Sequence, residues 1–274
     1  TRQHNGEKMA DSAFKDMTRH SRLKVGTFLV EFNTPGIGQI LKASGCDFAF
    51  VDMEHSGFTV GDVKQILRYM QAADLPVIVR PPSKEYHHAA RVLDIGASAV
   101  MFPMIGSPEE VKRLLNFTKY PPKGGRGVAL QIAHDRYAPG PVMKKLSDAN
   151  LNTAFCALIE TQEGVENAAA IAAMKDVDLI WIGHFDLSAD MGIAGQFDHP
   201  KFKAAIRKVV AACKKHDKSL GRLVPEAKVG SALFKRGFDF ICHSGDVWML
   251  QTTMQAGADK LRATCKGGRK RKGR

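Results

Sequence analysis

Eight short apolar runs recur along the chain, at residues 25–30, 47–52, 76–80, 98–103, 155–160, 178–183, 219–224 and 239–244. Their length and their wealth of Val, Ile, Leu and Phe fit buried strands. Between them lie longer stretches with helical spacing of apolar positions: 36–44, 60–73, 85–95, 108–118, 163–174, 201–216 and 225–235. A last helix-like stretch, 246–262, follows the eighth run. Gly45, Gly96 and Gly237 stand two or three residues before the next strand, where a helix end favours a left-handed residue. Strict alternation of strand and helix implies a parallel sheet with right-handed crossovers. Eight such units predict an α/β fold, a single-domain (β/α)8 TIM barrel, which typically takes about 250 residues. A doubly wound open sheet is disfavoured, because no G-x-G-x-x-G turn follows the first strand.

The pattern divides the chain into an N-terminal extension (1–24), the barrel (25–265) and a basic tail (266–274) expected to be disordered. One segment, 119–153, breaks the rhythm with YPPKGGRG and APGP. A loop of that length in a compact domain points to a functional or interfacial role.

Composition alters this picture little. At 44% apolar and 25% charged residues, the chain of 274 reads as a globular protein with no uncharged apolar run long enough for a membrane span. Its five cysteines form no C-x-x-C pair, which predicts reduced thiols and a cytoplasmic location and excludes a zinc finger. The net charge of +12 comes largely from the two ends: the tail carries six positive charges, and residues 1–24 carry six positive and three negative. No basic-plus-aromatic interleaving marks the body, so no specific nucleic-acid partner is expected.

Barrel enzymes gather their chemistry at the C-terminal ends of the strands. There this chain places Asp52, Glu54, His55, Arg80, Glu160, Asp186 and the turn His243-Ser244-Gly245-Asp246. Carboxylates crowded on one rim repel unless a cation joins them. Glu160 and Asp186 follow neighbouring strands and could converge on one hard divalent cation, Mg2+ or Mn2+, with Co2+ a further candidate. Each acid alone also reads as a helix cap or a solvated loop charge. Asp52 and His55 suit an acid–base pair in which the carboxylate fixes the imidazole tautomer, although a structural histidine fits the same four residues. Arg80 ends an apolar strand, placed to fork onto a carboxylate or enolate oxygen or to form an interface ion pair. The lysines nearest to strands, Lys24 and Lys218, precede them and lie at the wrong end for a Schiff base.

The motifs DMEH (52–55), VIVRP (77–81), LDIGA (93–97), YPPKGGRG (120–127), IET (159–161) and IGHFDLSADMG (182–192) together resemble the class II, metal-dependent pyruvate aldolases of the HpcH/HpaI aldolase family. That resemblance runs from about residue 25 to residue 250. It implies a barrel assembled as a homo-oligomer, a hexamer built as a trimer of dimers, with the last helix exchanged between subunits. It also implies cleavage of a 4-hydroxy-2-oxo acid to pyruvate and an aldehyde through a metal-stabilised enolate. By resemblance, Glu160 and Asp186 bind the metal, and Arg80 contacts the keto or enolate oxygen. His55, oriented by Asp52, moves the proton. Arg80, Gly183, Phe185 and Leu223 line the substrate pocket, and Arg126 with a neighbouring subunit's Asp94 serves the aldehyde side.

Three departures stand out: His184-Phe185 where the family commonly has Pro followed by Ala or Ser, Leu158 where several relatives carry Gln, and VALQIAHDRY after Gly127. They keep a second reading open, decarboxylation of oxaloacetate or another enolate-trapping reaction of the macrophomate synthase kind. A third reading is a non-catalytic protein that associates through its basic tail.

Overall fold

In a computed structural model that describes residues 10–265, eight parallel strands close in sequential order into a barrel. The strands are β1 (Lys24–Leu29), β2 (Phe48–Asp52), β3 (Val77–Arg80), β4 (Ala99–Phe102), β5 (Ala154–Ile159), β6 (Leu179–Ile182), β7 (Ser219–Val224) and β8 (Phe240–Gly245). Each falls within one or two residues of its apolar run. Twelve helices accompany them among the described residues. The basic tail, 266–274, lies outside the described residues.

The period of two along each strand separates two cores. Inward positions (Phe28, Phe48, Phe50, Ile78, Met101, Cys156, Leu158, Trp181 and Phe240 among them) fill the barrel lumen. Outward positions such as Val51, Val79, Ile159, Ile182, Leu220 and Val224 pack beneath the helices. Lumen aromatics need room opposite. A Cβ at Gly26 would collide with Phe48, and one at Gly221 would collide with Trp181.

The extension contributes more than its sequence suggested. Helix α1 (Ala10–Met17) sends Phe14 fully buried into the barrel floor, 5.5 Å from the Phe240 ring and 6.4 Å from that of Phe48. Beside it, the fully buried Lys24 ion-pairs with Asp239 at 2.5 Å. Both Lys24 and Lys218 sit at the N-terminal ends of strands, opposite the rim predicted to carry chemistry. No helix among the described residues is long and apolar enough to cross a membrane, and all five cysteines are free thiols.

The irregular segment 119–153 holds structure that its prolines and glycines concealed. Helix α6 (Val142–Asn152) begins directly after Pro141 at its N-cap, a position where proline's fixed φ and missing N–H do no harm. Asn150 on that helix bonds the backbone of Tyr120 on both sides, at 2.7 and 3.0 Å, and holds the loop against the barrel.

Candidate active site

The inward register carries the site. On β2, Phe48 and Phe50 point into the lumen, so Asp52 does too; on β3, Ile78 leads to Arg80. On β5, Leu158 is followed inward by Glu160, and beyond β6, Trp181 is followed by Gly183. The last inward position of each strand is thus polar or open where the apolar lumen ends. A cavity of about 400 Å³ sits there, lined by His55, Arg80, Glu160, Gly183, Phe185 and Asp186, with Leu158, Trp181, Leu223 and Trp248 as its apolar wall.

Arg80 is the hub of the cavity floor. Its Nε and one terminal nitrogen fork onto Asp52 at 2.6 and 2.8 Å, and the other terminal nitrogen lies 2.9 Å from Glu54 Oε2. Burial would lower its pKa, but the hydrogen bonds and charges of Asp52 and Glu54 outweigh it and raise the value above the ordinary one. The guanidinium is therefore a fixed cation whose remaining N–H groups are available to the cavity.

Asp52 does not orient the His55 ring as the sequence led us to expect. Its two oxygens serve Arg80, its register partner on β3, and accept the backbone N–H groups of Glu54 and His55 at 3.1 Å each. A fully buried carboxylate beside a buried guanidinium has little capacity left for an imidazole. His55 instead stands at the mouth with its side chain about two-thirds exposed, its Nε2 4.0 Å from Glu54 Oε2.

Glu160 is 3% exposed, and its Oε1 accepts a 2.7 Å hydrogen bond from the Met104 N–H. Burial pushes its carboxyl up to about 7, against that hydrogen bond, and the charge of Asp186 adds to the rise. Asp186 lies in the first turn of a short helix α9 (His184–Asp190), exposed to the cavity side. Gly183 separates the two acids closely: a Cβ there would overlap Glu160 Oε2. An oxygen pair of this kind, one member held partly protonated by burial and repulsion, is the donor set a hard divalent cation accepts. Among the described residues no three His, Cys, Asp or Glu side chains converge on one point, and a hard cation held by two carboxylates commonly adds water or substrate oxygens.

Arg126 and Asp94 were expected on the aldehyde side, from two different subunits. Within one chain they pair with each other at 2.5 Å, with the Arg126 guanidinium 4.5 Å above the Tyr120 ring, and neither lines this cavity. The YPPKGGRG turn brings the arginine back over the end of helix α4 (Tyr86–Asp94), where the nearest carboxylate takes it.

Trp248 went unread in the sequence, whereas His184 and Phe185 stood out there as a departure from the family's usual residues. Trp248 stacks on Phe28 at 5.8 Å and closes one side of the cavity. His184, 6% exposed, is pushed down to about 3 by burial and by Arg222, so it is a neutral ring. Phe185 is 62% exposed and packs edge-on against Phe197 at the rim. Helical spacing in 246–262 was the only signal for Trp248.

A model of the HpcH/HpaI aldolase/citrate lyase family matches residues 24–250. The chain belongs to that family. The chain is similar to a hydroxypyruvate/pyruvate aldolase of Paraburkholderia phytofirmans, 35% identical over 80% of this chain and 86% of that protein. A 5-keto-4-deoxy-D-glucarate aldolase of Citrobacter koseri is 31% identical over 91% of this chain and 96% of that one. The crystal structure of an HpcH/HpaI aldolase from Desulfitobacterium hafniense superposes with a TM-score of 0.84 at 32% identity, covering 91% of this chain and 96% of the other. As a member of this aldolase family, the protein is a carbon–carbon lyase.

Proposed function

We propose that this family member is a divalent-cation-dependent class II aldolase that cleaves a 4-hydroxy-2-oxo acid to pyruvate and an aldehyde. The observation that carries the reading is Glu160, a buried carboxylate that shares one cavity with a second acid, Asp186, and with Arg80. Glu160 and Asp186 would hold the cation, Mg2+ or Mn2+, with Co2+ also compatible with oxygen donors. When bound, the cation supplies Lewis-acid polarisation of the 2-oxo acid.

The chain's own groups do the rest. Arg80, fixed by Asp52, donates hydrogen bonds to the keto oxygen as negative charge gathers there during cleavage. His55 at the mouth accepts the proton of the C4 hydroxyl as the C3–C4 bond breaks, releasing the aldehyde. A proton returned to C3 completes the methyl group of pyruvate. Leu158, Trp181 and Leu223 keep water from the enolate, and Phe185 faces the departing aldehyde. Asp52 is a positioning residue, since Arg80 and the backbone of the His55 turn occupy it.

The apolar wall of Leu158 and the exposed ring of Phe185 favour a second reading, decarboxylation of oxaloacetate to the same enolate. Pyruvate release from 4-hydroxy-2-oxo acids, measured with Mn2+ and then with chelator, tests the first reading. Chelator-sensitive release supports it. Carbon dioxide from oxaloacetate with no aldehyde from any hydroxy-oxo acid would replace it by the second.

We further propose a homo-oligomer, a hexamer in which the last helix is exchanged between subunits. Support comes from helix α12 (Asp246–Thr264), where only Asp246 is buried and Leu250, Met254 and Leu261 are left exposed on a single chain. The free thiols support a cytoplasmic location.

A further inference from the structure

A second, larger cavity of about 830 Å³ adjoins the first and shares His184, Phe185, Leu223 and Trp248 with it. Its wall holds Arg222, at an outward position of β7 between Leu220 and Val224, where a strand of this fold ordinarily sends an apolar side chain. The residue is 9% exposed. Its guanidinium lies 5.6 Å and 5.9 Å from the rings of Phe197 and Phe202, and its Nε has no hydrogen-bond partner among the described residues. Asp198 borders the same cavity but pairs with Lys203 at 2.8 Å. The other charges at the rim, Lys228 and Arg236, are positive.

Ring contacts attract a cation but satisfy none of its N–H groups. A cation held this far from bulk water is stabilised by an anion brought to it. With no anion against it among the described residues, Arg222 opens onto a cavity in which a partner from outside the chain can meet it. Burial and the nearby Arg236 lower its pKa to about 10, in keeping with the lack of an anion.

We propose that Arg222, with Lys228 and Arg236 at the rim, forms an anion subsite that receives a carboxylate or phosphate group at the far end of the aldehyde half of the substrate. This rests on the aldolase reading above. Phe185, Leu223 and Trp248, common to both cavities, form the passage between the reacting carbons and the anion. The enzyme would then prefer aldehydes with a charged terminus over neutral ones of similar size.

The test combines binding with turnover. Calorimetric titration of glycerol 3-phosphate and of glutarate, with glycerol as the neutral control, separates phosphate from carboxylate and does not depend on catalysis. Arg222→Leu should weaken whichever anion binds by at least about tenfold, and Arg222→Lys should recover part of it. The kcat/KM ratio of glyceraldehyde 3-phosphate, or of succinic semialdehyde, to glyceraldehyde in aldol addition should fall by a similar factor in Arg222→Leu. Equal anion binding by wild type and Arg222→Leu overturns the subsite. Arg222-dependent binding with an unchanged ratio overturns its assignment to substrate. A change of oligomeric state in Arg222→Leu without any change in anion binding gives the cation to a subunit interface and also overturns it. Pyruvate methyl exchange in wild type reports separately on the aldolase reading.

Discussion

Replacing Glu160 by Gln should make the cation-free protein more stable at alkaline pH while removing its cation-dependent chemistry. The carboxyl rises from an ordinary 4.5 to about 7, chiefly through burial. At about 1.4 kcal/mol per pH unit, the charged form is disfavoured in the fold by about 3 kcal/mol. The sign follows from proton counts. Between 4.5 and about 7 the native side chain keeps its proton while the unfolded one has released it. Stability from this group therefore falls as pH rises through that window, and the full penalty is present above it. The variant keeps the acceptor for the Met104 N–H and has no charge to lose. Urea unfolding of chelator-treated protein, at fixed concentration and at about pH 5 and about pH 8, should show the variant's advantage growing by about 2 kcal/mol. Added Mn2+ should stabilise the wild type at the higher pH and leave the variant unmoved. Parallel stabilities of the two proteins across this range would refute a buried, proton-holding Glu160.

Other substitutions test other parts of the account. Asp52→Asn leaves Arg80 buried beside a neutral amide, which should cost about 3–5 kcal/mol in thermal or urea unfolding and abolish turnover. Gly183→Ala should displace Glu160 and weaken Mn2+ binding by at least about tenfold in a calorimetric titration, since each charge-assisted contact contributes about 1.5–3 kcal/mol. Phe14→Ala should lower unfolding stability by about 3–5 kcal/mol by opening the barrel floor, with kcat retained below the melting temperature. Charging the exposed face of the last helix, Met254→Glu with Leu261→Glu, should shift the protein to a smaller species by light scattering.

The barrel was legible because its signal is local and repeated: eight apolar runs, each followed by a helical stretch. The site was legible where it continues that pattern. Asp52, Arg80 and Glu160 are the next inward residues after Phe50, Ile78 and Leu158, so the period of two aims them into one cavity. What the sequence hid depends on contacts between distant segments. Asp52 chose Arg80 over the His55 ring because the register sets those two residues side by side. Arg126 met Asp94 of its own chain through the fold of a loop with no period to read. Helix α1 is two turns long, and its purpose appears only when Phe14 meets Phe48 and Phe240. Arg222 lay within an apolar run and drew no notice, since an Nε without a partner among the described residues is a property of the packed structure.

In the proposed function, Glu160, Asp186 and Arg80 together promote formation of a pyruvate enolate. Proton–deuterium exchange at the methyl group of pyruvate, followed by NMR, tests it without any knowledge of the aldehyde. Exchange should occur with Mg2+ or Mn2+, stop on chelation and be lost in Glu160→Gln. Absence of exchange with every divalent cation, or exchange that survives in Glu160→Gln, would contradict it.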